Sequence, residues 1–262
     1  MFRYRVEELG ESVVEENTVH SLIYDEELVK RFINTLPELT KDKAYLLMLT
    51  IRSRLAKQIY GIKVADIVLM HEIILHSDDW KDRLFRRIKR LAILGGYAEE
   101  VFRVKGYPVK PRMCAIMLVV NPADIRKGVA DFVKEIMNDI VLSYRFDRVV
   151  KAKKLLFGCL HRRARGHFHT IDVDSKDREI FNELRDELSP YSVKWIIETP
   201  RGYHFVVDLK ASGVDFFKHF VLKRLPELKR KYSNTIEYLK HPQEPVVGTF
   251  YGGFKVKLIE LD

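Results

Sequence analysis

The chain has 262 residues, 47% of them hydrophobic, enough to bury a sizeable core as one large domain or two small ones, and its composition is that of a globular protein. Forty-six Lys and Arg against 37 Asp and Glu leave a formal charge of +9, which favours a polyanionic partner such as nucleic acid. Cys114 and Cys159 lie far apart in apolar stretches and make neither a disulfide framework nor a cysteine-ligated zinc site. No apolar run approaches the roughly 20 residues that cross a bilayer, so the chain reads as intracellular, with no membrane partner.

From about Glu15 to about Leu94 apolar residues recur at three and four positions in DEELVKRFINTL, KAYLLMLTIRSRLAKQIYG and WKDRLFRRIKRLAILGG, which predicts helices. Gly95 and Gly96 stop the last of them. Gly106, Pro108 and Pro111 then mark a connection, and a boundary near Val109 separates a helical N-terminal region, 1–108, from a second region, 109–262. Beyond it RMCAIMLVV predicts a buried strand, and the stretch opening at Pro122 and Asp124 an amphipathic helix. LLFGCLH and FHTIDVD read as two strands joined by the basic loop RRARGH, followed by a helix capped by Ser175. VKWIIET and YHFVVDL pair around Pro200-Arg201-Gly202. A helix broken near Pro226 and a closing turn and strand complete an α+β pattern with substantial antiparallel pairing.

Strand alternation in HTIDVD places Asp172 and Asp174 on one face, about 7 Å apart, with Ile171 and Val173 on the other. Two carboxylates so close repel unless a cation lies between them, and hard oxygen ligands at that spacing suit Mg²⁺ or Mn²⁺. In ETPRGYHF, Arg201 offers a planar fork to phosphate oxygens, Gly202 allows a ligand close to the backbone, and His204 adds a ring nitrogen. Arg162, Arg163 and Arg165 in the basic loop are candidates for gripping a nucleic-acid backbone. A lesser grouping takes His167 and His169 with Asp172 as ligands for zinc or iron. The basic run RLFRRIKR is a further charged face, and Tyr60, Tyr97, Phe102 and Tyr107 are aromatic residues able to stack on bases.

An apolar strand ending Asp172-Val173-Asp174, then helix, strand and Gly202-Tyr203-His204 opening the next strand, resembles the archaeo-eukaryotic primase superfamily. MLVVNPAD before a long helix and PVVGTFYGGFKVK resemble further stretches of its primase-polymerase branch, so the likeness spans roughly Met113 to the C-terminus. The resemblance implies an αβ module packed on an RRM-like module, with the site in the groove between them. It implies transfer of nucleotides from nucleoside triphosphates on a single-stranded DNA template, with Asp172, Asp174 and His204 catalytic. Mg²⁺ or Mn²⁺ would be held by Asp172, Asp174 and a third acid, and Arg201, Gly202 and His204 would bind the nucleotide. Glu237 is the first candidate for the third acid and Glu244 the second, while His241 stands where relatives carry an acid. Replication or repair proteins would be further partners. Two alternatives remain open at this point: a non-catalytic nucleic-acid-binding module on the same scaffold, and a metal-dependent nuclease.

Overall fold

The computed structural model describes residues 20–142, 151–240 and 242–259, which form an α+β structure built on two antiparallel sheets. Helix α1, Glu26–Thr35, opens at Asp25, whose carboxylate accepts from the Leu28 N–H at 2.9 Å. The first sheet contains β1, Lys43–Ile51, and β2, Ile67–Leu75, with helix α2, Ser53–Tyr60, between them and α3, Trp80–Gly96, after them. Its third strand is β3, Cys114–Asp124.

Two long elements follow. Asp124 caps helix α4, Ile125–Met137, by accepting from Lys127 N–H at 3.0 Å, and helix α5 covers Ala152–Arg162. The two pack closely: a Cβ on Gly128 would come within 2.5 Å of the Leu160 side chain.

The second sheet starts with β4, Phe168–Val173, helix α6, Arg178–Leu188, and the hairpin strands β5, Val193–Glu198, and β6, Tyr203–Asp208. A helical run over 209–231 then leads to β7, Ile236–Leu239. Gln243–Pro245, β8, crosses back to pair with β3 in the first sheet, and Lys257–Ile259, β9, pairs with β5 in the second. The strand orders are β8-β3-β1-β2 and β9-β5-β6-β4-β7. Four strands of the second sheet therefore follow a β-α-β-β-α-β course, with the first of them lying between the third and fourth.

Each face of the second sheet has its own apolar neighbours. Ile171, Val173, Phe205 and Val207 point under α6 and the 209–231 helices, where they form a core with Phe181, Leu184, Phe216 and Leu228. Phe168, Trp195, Ile197 and Val206 point the other way and join the larger core of the first sheet. Buried Asn121 on β3 closes this junction: its Nδ2 donates to the Phe168 carbonyl at 2.8 Å and its Oδ1 accepts from the Phe168 N–H at 3.1 Å.

Several sequence expectations are corrected. The N-terminal stretch is not wholly helical: KAYLLMLTI is strand β1, buried along Ala44–Ile51, and β2 was not foreseen. An apolar run covered on both faces has no alternation to distinguish it from a buried helix. Because β1 sits beside β3, residues on either side of position 109 share one sheet. LLFGCLH belongs to helix α5 rather than to a strand, so the basic loop is not a hairpin. The cap of α6 is Asp177, accepting from Glu179 N–H at 2.8 Å, while Ser175 accepts from the N–H of Asp177. Among the described residues no helix is long and apolar enough to cross a membrane.

Candidate active site

Strand β4 brings the acids to the junction of the sheets. Phe168, Thr170 and Asp172 share the face turned toward the first sheet, and antiparallel register sets Asp172 opposite His204 on β6 and Glu237 on β7. Residues paired across antiparallel strands project from the same face, so the three side chains form a row over three strands. Asp174 lies just past the end of β4, tied by its backbone N–H to the Thr235 carbonyl at 2.8 Å.

The turn Thr199–Gly202 presses against that end. A Cβ on Gly202 would lie 1.7 Å from the Val173 carbonyl oxygen, so only glycine fits. The buried glycine thus serves contact between the turn and its own neighbouring strand, rather than the approach of a ligand expected from the sequence. The turn also aims Arg201 at Asp174, with Nη2 2.8 Å from Oδ2.

His204 sits between two acids. Its Nδ1 is 2.5 Å from Glu244 Oε2 and its Nε2 is 3.3 Å from Asp172 Oδ1. Glu244, on β8 of the opposite sheet, is fully buried, and its other oxygen accepts from Thr170 Oγ1 at 2.6 Å. Burial alone would lower the histidine's pKa. The Glu244 charge and the hydrogen bonds to Asp172 and Glu244 outweigh it and push the imidazole up to about 10. Burial likewise would raise the Asp172 pKa, but His204, followed by the Arg201 and Arg54 charges, holds this carboxyl below the usual range. The charged form of His204, held between the Glu244 and Asp172 side chains, is therefore favoured. Glu244, the second candidate for a third metal ligand, instead backs the histidine, whereas Glu237 is exposed and lines the cleft.

That cleft, of about 470 Å³, runs between the sheets. Asp172, Asp174, Arg201, His204 and Glu237 line one wall, and Arg52, Arg54, Asp66 and Tyr251 line the other. Arg52 and Arg54 had no place among the sequence candidates. Arg52 joins β1 to α2 and Arg54 lies in the first turn of α2, inside a stretch whose periodicity predicts a helix, where alternate arginines look like a solvated face. Among the described residues no group of three or more His, Cys, Asp or Glu side chains is arranged to hold a metal ion.

The other candidates lie elsewhere. Arg162 ends α5 and pairs with Glu135 of α4, and Arg163 makes a bidentate pair with Asp131 at 2.6 and 2.8 Å. Exposed Arg165 is in the loop leading to the start of β4, the end away from Asp172. His169 falls on the opposite face of β4 from Asp172 and hydrogen-bonds Tyr238, so it does not join a metal set with it. Most of the basic run of α3 is paired with acids, Arg86 with Asp79, Arg87 and Arg90 with Glu72, and Lys89 with Glu26, while Arg83 donates to Ser77 Oγ. Tyr60 and Tyr107 pack on each other, with ring centroids 5.0 Å apart. His241 lies outside the described residues. Comparison of the chain with protein-family models, with curated proteins and with solved structures finds no match.

Proposed function

We propose that the protein is a metal-dependent nucleotidyltransferase of the archaeo-eukaryotic primase type, a DNA primase or template-directed DNA polymerase that uses nucleoside triphosphates. The observation carrying this reading is the row Glu237-Asp172-His204 across three strands, facing a cleft whose far wall is built on the first sheet. Support also comes from the β-α-β-β-α-β course of the second sheet, which suits an RRM-like module with the D-h-D motif on its first strand and Gly-x-His on its third. The basic chain fits a nucleic-acid partner.

The donor set fits Mg²⁺ or Mn²⁺. Asp172, Asp174 and Glu237 offer hard oxygens to one cleft, and Mg²⁺ in nucleotide enzymes is commonly held by one or two carboxylates together with substrate phosphates, without an all-protein cage. When bound, the metal supplies positive charge that lowers the cost of the attacking and leaving oxygens. The protein's own groups orient the nucleotide. Arg201 presents a fork of N–H donors, and His204, fixed from behind by Glu244, presents Nε2–H toward the cleft. Both now contact the acids of the site and are suited to receive phosphate oxygens.

The test is pyrophosphate release from nucleoside triphosphates in the presence of single-stranded DNA and Mn²⁺ or Mg²⁺. Wild type should release it, and Asp172→Asn or Asp174→Asn should reduce the rate at least ~100-fold while the fold is kept. Cleavage of the DNA without pyrophosphate release would replace this reading with a nuclease.

A further inference from the structure

The far wall of the cleft has a charge arrangement that the proposed chemistry does not yet use. Of the cations lining the cleft, Arg52 is paired with Asp66 at 3.1 Å, Arg201 with Asp174 at 2.8 Å, and His204 lies between Glu244 and Asp172. Arg54 differs: its Nη2 donates to the neutral Tyr251 hydroxyl at 2.8 Å, and no carboxylate among the described residues lies within salt-bridge distance of it. Its guanidinium and that of Arg52 both lie over the Tyr251 ring, 5.3 and 5.7 Å from the centroid. A stacked guanidinium is held in place while its in-plane N–H donors remain directed outward.

The tyrosine itself is firmly placed. It is buried at the end of a tight hairpin whose turn residues, Gly252 and Gly253, have φ of +63° and +81°. That hairpin packs on α2: a Cβ on Gly252 would be 3.1 Å from the Leu55 side chain. The start of α2 thus offers a fixed cation with no carboxylate of the described residues at salt-bridge distance, across the cleft from Asp172.

We propose that Arg54 is a second phosphate-binding group, which takes polyphosphate oxygens of the nucleotide from the wall opposite Arg201 and His204. The assignment rests on the nucleotide reading of the cleft given above. Its logic is electrostatic: a partly desolvated guanidinium with only a neutral partner gains most from an anionic ligand, and its planar fork matches phosphate geometry. Gripped from both sheets, a triphosphate would be bound only when the two walls are correctly spaced. The phosphodiester of a bound strand offers the same oxygens, and the test separates the two sources.

Inorganic tripolyphosphate and a short single-stranded oligonucleotide are titrated separately, by calorimetry, into wild type, Arg54→Ala and Tyr251→Phe, with thermal melts of each. Arg54→Ala should raise the tripolyphosphate Kd about tenfold or more and leave the oligonucleotide Kd within about twofold. Tyr251→Phe keeps the cation and should bind tripolyphosphate within about threefold of wild type. Unchanged tripolyphosphate binding in Arg54→Ala overturns the proposal, as does an equal loss in a stably folded Tyr251→Phe. Loss of oligonucleotide affinity alone assigns Arg54 to a strand and overturns the nucleotide assignment. Absence of tripolyphosphate binding by the wild type would instead sink the nucleotide reading of the entire cleft.

Discussion

His204 owes its charge to its position between strands of different sheets. Its raised pKa makes it a stabilising cation, and the sign of the pH dependence follows. The contribution is complete below the ordinary histidine value of 6.5 and is lost progressively as pH rises toward about 10, at no more than ~1.4 kcal/mol per pH unit. Glu244→Gln keeps a hydrogen-bonding side chain but removes the charge that favours the imidazolium most. Urea unfolding across this interval should show wild-type stability falling relative to the variant, and parallel curves would contradict the assignment. That Asp172, Asp174 and His204 share one cleft was legible in the sequence because alternation and a turn before a strand are local signals. The roles of Glu244 and Arg54 were not. Glu244 is 40 residues from its histidine partner and reaches it only through a strand that crosses to the other sheet. Arg54 is legible as a cleft residue only once β1 is known to end at Ile51.

At the scale of elements, the α+β class and the strand–helix–hairpin order around the acids could be read directly, since β4, β5 and β6 each end near turn residues. Strand β1 and helix α5 could not. Both are short apolar runs whose type is decided by what covers them: β1 lies between β3 and β2, and α5 packs on α4. The joint between the two sheets rests on Asn121, whose side chain substitutes for a strand partner at both backbone groups of Phe168. Asn121→Ala leaves a buried N–H and a buried C=O without these bonds and should cost about 2–3 kcal/mol in denaturant unfolding. Because the same joint sets the reach of Glu244 to His204, nucleotide affinity should fall with it. A variant with wild-type stability would show that the joint is held by other contacts.

For the whole molecule, the formal charge of +9 favours a polyanion but does not say where it binds. The conspicuous basic runs, on α3 and at the end of α5, are largely paired with acids, whereas the cleft between the sheets gathers Arg52, Arg54, Arg201 and His204 beside Asp66, Asp172, Asp174 and Glu237. A cleft that mixes both signs suits chemistry on a phosphate together with a divalent cation better than passive backbone binding. The most direct measurement is incorporation of labelled nucleotide on single-stranded DNA, with and without a primer, in Mn²⁺ and in Mg²⁺, for wild type and the double variant Asp172→Asn/Asp174→Asn. Metal-dependent products that disappear in the double variant are the predicted result, and the primer-free reactions separate priming from extension. Products undiminished in the double variant, or none from a wild type that still binds the DNA, would contradict the account.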